Sequence, residues 1–228
     1  MKRVDAPEIL DSDACSARDV ELSMLDLNGV NRRFGGVTTT QSLIERVALM
    51  TGQKCLSVLD VAAGSGEVPR LVAERLAQQN IRLDLTLLDR SRSHLAPGVR
   101  SVIADGLALP FRDASFDMVS SNLFAHHLSP PQAADFVKEA LRVARRAVLI
   151  NDLVRHPMHL ALAYAARPLM RSRVAWLDGL TSVRRAYVPE EMRAAILPLF
   201  SSNGPPPIEI SRHYLFRMGV IVWKNKRA

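Results

Sequence analysis

The sequence predicts an α/β fold: a mostly parallel sheet of seven strands with helices on both faces. Three observations predict it. Short apolar runs alternate with helical periodicities between residues 55 and 150. The first run, 55–61, passes through Gly64-Ser65-Gly66 into a helical pattern, the strand–turn–helix order of parallel sheets with right-handed crossovers. The 228 residues suffice for one such domain with additions.

Residues 1–20 are polar and acidic and read as a loose arm or a short helix. Residues 21–50 read as two helices, with breaks at Asn28-Gly29 and Gly35-Gly36. The second helix, 40–50, places Leu43, Ile44, Val47 and Met50 at helical spacing. Strands follow at 55–61, 83–88, 99–103, 116–121 and 147–150, with helices at 67–79 and 131–144. Residues 153–197 are helical, punctuated by Pro157, Pro168 and Pro189, and too long for a plain crossover. They read as a cap inserted after strand five, with an elongated packing helix pair as the alternative. Asn203-Gly204-Pro205-Pro206-Pro207 is a turn or short rigid connector. Residues 208–216 and 220–223 read as the last two strands, joined near Gly219. The expected division is an N-terminal helical arm or lid at 1–50, a sheet domain at 51–152 and 198–228, and a helical cap at 153–197.

Composition narrows the class. Hydrophobic residues make up 48% and charged residues 23%, which excludes wholesale disorder. The net charge of +7 reads first as a solvated basic surface, and otherwise as attraction to an acidic substrate, nucleic acid or anionic lipid. Aromatics are only 5% and no block of Lys or Arg interleaves with them, which argues against nucleic acid. Cys15 and Cys55 form no CxxC pair and read as reduced thiols of a cytoplasmic protein. The start of the chain carries Asp5, Glu8, Asp11 and Asp13 without an apolar core, so no signal peptide is expected. No apolar run approaches the ~18 residues needed to span a bilayer.

The loop after the first strand carries the chemistry. A Walker phosphate loop needs Gly-Lys-Ser/Thr, and here the chain reads Gly66-Glu67-Val68. A dinucleotide loop needs a third glycine where Pro69 stands, and Glu67 puts negative charge at the helix N-terminus, where a pyrophosphate would bind. S-adenosylmethionine carries no phosphate, and its zwitterionic and sulfonium charges suit Asp60, Glu67 and a glycine-rich loop.

The segment Leu59-Asp60-Val61-Ala62-Ala63-Gly64-Ser65-Gly66 resembles motif I of class I S-adenosylmethionine-dependent methyltransferases. The resemblance runs over roughly 55–150. Leu85-Thr86-Leu87-Leu88-Asp89-Arg90-Ser91 is similar to that family's second strand with its acidic tip. Asp105 through Asp117, with Leu109-Pro110-Phe111 and Ser115-Phe116-Asp117, resembles the small-molecule branch that includes quinone-biosynthesis methylases. This family has a Rossmann-like fold. The resemblance implies a cofactor set of Asp60, Ala62, Gly64, Gly66, Asp89, Arg90, Asp105, Gly106 and Asn122, with Asp89 on the ribose hydroxyls and Asp105 on the adenine amino group. An N-terminal helical segment closes over the cofactor in similar enzymes, and Arg33 could then pair with the methionyl carboxylate.

Methyl transfer is an in-line displacement, and an oxygen nucleophile must lose its proton. Carboxyl ends of strands line the crevice in open α/β sheets. His126 and His127 follow strand four and are the candidate bases, with Asp152 at the end of strand five able to orient a histidine, bind substrate or cap a helix. His156 and His159 receive no role. A metal site is not expected, because no third ligand stands at readable spacing. The Met- and Leu-rich cap suits a small, largely apolar acceptor such as a phenol or quinol. An RNA-modifying methyltransferase and a non-catalytic cofactor-binding module remain the alternatives, and a homodimer is compatible with the sequence.

Overall fold

The computed structural model describes residues 1–11, 15–92, 95, 99–200 and 207–224. Strands β1 (Cys55–Val61), β2 (Arg82–Asp89), β3 (Ser101–Ile103), β4 (Phe116–Asn122), β5 (Ala144–Leu153), β6 (Ile208–His213) and β7 (Arg217–Trp223) form one sheet in the order β3-β2-β1-β4-β5-β7-β6. The first five are parallel, and β7 runs antiparallel to both β5 and β6. The seven-stranded, mostly parallel sheet predicted from the sequence is observed. Strand order reverses between β1 and β4, so their carboxyl ends open onto a crevice.

Helices cover both faces. Helices α2 (Gly36–Thr51) and α3 (Glu67–Ala77) place Leu43, Ile44, Val47, Val72 and Leu76 against Val58, Met118 and Leu149 of the sheet. On the other face, α4 (Pro130–Val143) and α7 (Pro189–Ile196) pack Phe136, Ala140, Met192 and Ile196 on Leu59, Val61, Val119 and Val148. Successive strand residues point to opposite faces, and both faces are covered, so the central strands read as unbroken apolar runs. Each such side chain contributes about 1.5–3 kcal/mol on burial.

Helix α1 (Ala17–Arg33) starts at an N-cap, Ser16, whose hydroxyl accepts from Asp19 N at 3.1 Å. It runs unbroken through Asn28-Gly29, where the sequence suggested an interruption. Glycine within a helix costs about 1 kcal/mol. Buried contacts on the same helix outweigh it: Ser23 Oγ lies 2.8 Å from Ser172 Oγ, and Asp26 Oδ2 accepts from Ser172 N at 2.7 Å. The expected break at Gly35 does occur, with Gly35 at φ +82. There a side chain would meet the Tyr214 carbonyl at 2.3 Å.

The last hairpin turns at residues 214–216, not near Gly219 as the sequence suggested. Gly219 lies inside β7, where a Cβ would come 2.8 Å from Leu43 Cδ2 and 2.9 Å from His213 Nε2. Its role is close approach of backbone to side chains rather than turning. The expected connector at 203–207 lies outside the described residues except for Pro207.

The stretch 153–197 divides in two. Helix α7 belongs to the sheet face. Helices α5 (Pro157–Ala165) and α6 (Arg173–Arg185) stand beyond the carboxyl edge, with α6 against α1 and the N-terminal arm. Helix α5 has no buried residue, and Met158, Leu162 and Tyr164 are exposed on it. No helix among the described residues is long and apolar enough to cross a membrane.

Candidate functional site

Strand β1 delivers Asp60 and Val61 to the crevice, and the loop after it folds with Ala62, Gly64 and Gly66 at φ +55, +54 and +67. Left-handed backbone is costly for any residue with a Cβ, which accounts for the two glycines. A Cβ at Gly66 would lie 2.3 Å from Leu87 Cδ1, and one at Gly106 would lie 2.9 Å from Val61 Cγ1. Neighbouring side chains therefore leave no room for a Cβ at either glycine.

Asp89, at the tip of β2, closes the loop. Its Oδ2 accepts from Gly64 N at 2.8 Å and its Oδ1 from Ser91 N at 2.9 Å. Asp60 lies beneath, 3% exposed, with its Oδ1 accepting from Ser120 Oγ at 2.5 Å. Burial pushes the Asp60 carboxyl up to about 7, opposed by the Ser120 hydrogen bond and helped by the charge of Asp89. Asp105 is exposed just beyond β3, and its Oδ1 accepts from Leu107 N at 2.9 Å, which orients the turn carrying Gly106. Asn122 ends β4, with Arg217 Nη1 3.4 Å from its Oδ1.

Helix α1 lies across the glycine loop along one stripe. Met24 Cε would be 3.3 Å from a Cβ at Gly64, Ser65 Oγ donates to Asn28 Oδ1 at 3.1 Å, and Arg32 pairs with Glu67 at the start of α3. Spacing of four residues puts all three on one face. Arg33, the arginine singled out in the sequence, is exposed at the end of the helix, and Arg90 is exposed beyond β2. The sequence missed Met24, Asn28 and Arg32 as loop-covering residues. Their common helical phase with the loop was the available signal.

A second group stands at the ends of β4 and β5. His126 is 2% exposed. Its Nδ1 lies 2.7 Å from Asp152 Oδ1, and its backbone N donates to Asp152 Oδ2 at 3.1 Å. Its Nε2 faces Glu8 Oε1 at 3.4 Å. Burial alone would lower this imidazole, but the carboxylates of Asp152 and Glu8 outweigh burial and carry it up to about 9. Conversely, His126 holds both Asp152 and Glu8 below the usual carboxylate range in spite of their burial. His127 has more access to solvent, its side chain 23% exposed, with Nδ1 3.1 Å from Asp11 Oδ2.

Glu8 and Asp11 come from the N-terminal arm, which the sequence left without a role. Asp178 on α6 accepts from Ile9 N and Leu10 N at 2.7 and 2.9 Å, and Ser182 Oγ donates to Glu8 Oε1 at 2.7 Å. Arg185 donates to the carbonyls of Ala6 and His127. Arm, cap and histidines thus form one polar assembly across the carboxyl edge. Arg217, also unmarked in the sequence, is wholly buried and donates to Asn31 Oδ1 at 2.8 Å and to the Phe34 carbonyl at 3.0 Å. It fixes the turn between α1 and α2 against β7.

The donor set fits S-adenosylmethionine better than a nucleotide phosphate. The crevice is bordered by the carboxylates of Asp60 and Asp89 and by a loop whose Gly66 has no room for a Cβ beside Leu87, with no Walker lysine.

Comparison with known proteins agrees with this geometry. Residues 58–147 match a family model described as a methyltransferase domain. The chain is 31% identical over 119 residues to the chloroplastic tocopherol O-methyltransferase of Arabidopsis thaliana, covering 49% of this chain and 31% of that protein. It is 31% identical over 150 residues to the demethylmenaquinone methyltransferase of Renibacterium salmoninarum, covering 63% of this chain and 56% of that protein. The chain therefore matches less than two thirds of the length of either relative. Among solved structures, a plantazolicin methyltransferase in complex with a substrate analog and SAH superposes with a TM-score of 0.67 at 13% identity, over 92% of this chain and 90% of that one. That likeness concerns the fold. Residues 58–147 thus resemble a methyltransferase domain, and the chain as a whole shares its fold with a solved plantazolicin methyltransferase.

Proposed function

We propose that this chain is an S-adenosylmethionine-dependent methyltransferase acting on a small, largely apolar metabolite such as a phenol or quinol. The observation that carries the cofactor is the pairing of the strained glycine loop with Asp89, whose carboxylate already holds Gly64 N–H in place. When bound, S-adenosylmethionine supplies an electrophilic methyl group on its sulfonium sulfur. Asp89 would bind the ribose hydroxyls, and Asp105 and Gly106 would border the adenine. Asp60 would balance positive charge from beneath the loop. The α1 stripe of Met24, Asn28 and Arg32 would exclude water from above.

Acceptor binding falls to the carboxyl edge beneath the cap. The apolar character of α5 and the ring of Phe216, stacked between His156 and His159 at 5.1 Å from each, support an apolar acceptor. The two relatives are named for a tocopherol, which is a phenol, and for demethylmenaquinone, and both names support a phenol or quinol acceptor. For a hydroxyl acceptor, His127 takes the proton, oriented by Asp11 as the second member of the pair. Both histidines face carboxylates, but the His126 side chain is only 2% exposed against 23% for His127, so His126 and Asp152 act as positioning residues. The free thiols of Cys15 and Cys55 support a cytoplasmic setting.

Calorimetry with S-adenosylmethionine and its demethylated product tests the cofactor, with one site per chain and micromolar affinity expected. Transfer of labelled methyl to a panel of phenols and quinols tests the acceptor. Absence of cofactor binding would overturn the reading entirely, and binding without turnover over the panel would overturn the acceptor class.

A further inference from the structure

We propose that Glu8, His126 and His127 form a binding site for a first-row divalent cation of the zinc type, which fastens the N-terminal arm to the carboxyl edge of the sheet. Their candidate ligand atoms all lie within 4.8 Å of one another. His126 Nε2 is 3.4 Å from Glu8 Oε1, and His127 Nε2 is 3.7 Å from Glu8 Oε2. Charge-assisted hydrogen bonds are shorter, about 2.7–2.9 Å. Two ligands held by one tetrahedral ion at about 2.0–2.1 Å stand about 3.4 Å apart. The spacing, measured to the two oxygens of Glu8, is compatible with co-ligands of one ion.

The surroundings supply what metal-bound histidines need. Each imidazole presents its other nitrogen to a carboxylate: His126 Nδ1 to Asp152 Oδ1 at 2.7 Å, and His127 Nδ1 to Asp11 Oδ2 at 3.1 Å. Such carboxylate–histidine pairs fix the ring and raise its basicity toward a metal. Glu8, Asp11 and Asp152 bring three negative charges to two imidazoles, and Arg185 reaches only Asp11, at 3.9 Å. Two imidazoles and one carboxylate favour zinc, copper, iron or nickel over magnesium, calcium or manganese. Three protein ligands leave a coordination position open.

The cation would take His127 Nε2, the nitrogen that Asp11 leaves for proton uptake in the proposed function, so occupancy and transfer to a hydroxyl acceptor exclude one another. That clause alone rests on the proposed function. The binding itself does not.

The test uses the full chain stripped with a chelator, titrated with Zn²⁺ by calorimetry and with Co²⁺ by visible absorption. The expected result is one ion per chain, with ligand-field bands of low-coordinate cobalt. Glu8→Gln and His127→Gln should each weaken binding at least about tenfold, and Asp11→Asn about tenfold through its outer-sphere bond. Circular dichroism confirms that these variants fold. A Cys15→Ser/Cys55→Ser background removes the thiols as competing ligands and should bind as the parent does. No stoichiometric binding, or binding unchanged in Glu8→Gln and His127→Gln, overturns the site. Cofactor affinity is measured on the same samples, so failure of the metal site and failure of the methyltransferase reading are told apart.

Discussion

Asp89 Oδ2 accepts from the backbone N–H of Gly64 at 2.8 Å, which couples the tip of β2 to the loop after β1. One carboxylate thereby shapes the glycine cradle and presents an anionic face to it. Asp89→Ala removes a buried charged hydrogen-bond partner worth about 1.5–3 kcal/mol. Cofactor affinity is expected to fall about ten- to hundredfold by calorimetry. An affinity within twofold of the parent would remove Asp89 from the site.

Asp60 predicts a pH signature. Its folded-state value is raised from 3.8 to about 7, chiefly by burial. A raised value means that its contribution to stability is full below the unfolded value and is lost as pH rises through about 7. Asp60→Asn removes that dependence. Relative to the parent, the cofactor-free variant should gain thermal stability at about pH 8 and show little gain at about pH 4. Cofactor affinity should move the other way, weakening in the variant. Thermal melts at the two pH values with equal offsets would contradict the assignment.

Gly66→Ala forces a Cβ to within 2.3 Å of Leu87 Cδ1 at a residue with φ +67. Left-handed backbone costs about 1–2 kcal/mol and overpacking typically about 1–3 kcal/mol more. The expected outcome is a destabilised chain with weakened cofactor binding, read by denaturant unfolding and calorimetry. Gly52→Ala is the control for strain alone, since it has φ +68 and no atom within 4 Å of its Cβ.

Arg32 should affect kinetics more than stability. Its pair with Glu67 is exposed on the arginine side, 59%, and such pairs contribute less than about 1 kcal/mol. Arg32→Ala should leave the melting temperature nearly unchanged and speed cofactor dissociation severalfold in stopped-flow measurements. An unchanged dissociation rate would separate α1 from the cofactor.

Much of the fold was legible because the strands are short, apolar and separated by helical periodicities, so β1 through β5 announce themselves. The proximity of Asp60, Gly64, Gly66 and Asp89 was legible because one local segment and the next strand tip bring them together. The misses share a physical cause, contact over long sequence separation. Glu8 reaches His126 across more than a hundred positions, and no pattern near either residue records it. Gly219 looks like a turn residue until Leu43 and His213 are seen against it. Asn28-Gly29 looks like a break until the buried contacts of Ser23 and Asp26 with Ser172 hold the helix on that path. Choosing between Arg32 and Arg33 required the rotational phase of α1, which tertiary packing sets.

The stripe of Met24, Asn28 and Arg32 has a consequence for time. On the proposed function, a helix resting on the glycine loop would stand between the crevice and bulk water, so cofactor arrival and product departure would both require α1 to lift. Its attachments there are the Met24 side chain over Gly64, one neutral hydrogen bond and one half-exposed ion pair. The first helix would then act as an escapement, releasing one spent cofactor per swing, and the turnover number would report the frequency of that swing rather than the speed of the methyl group.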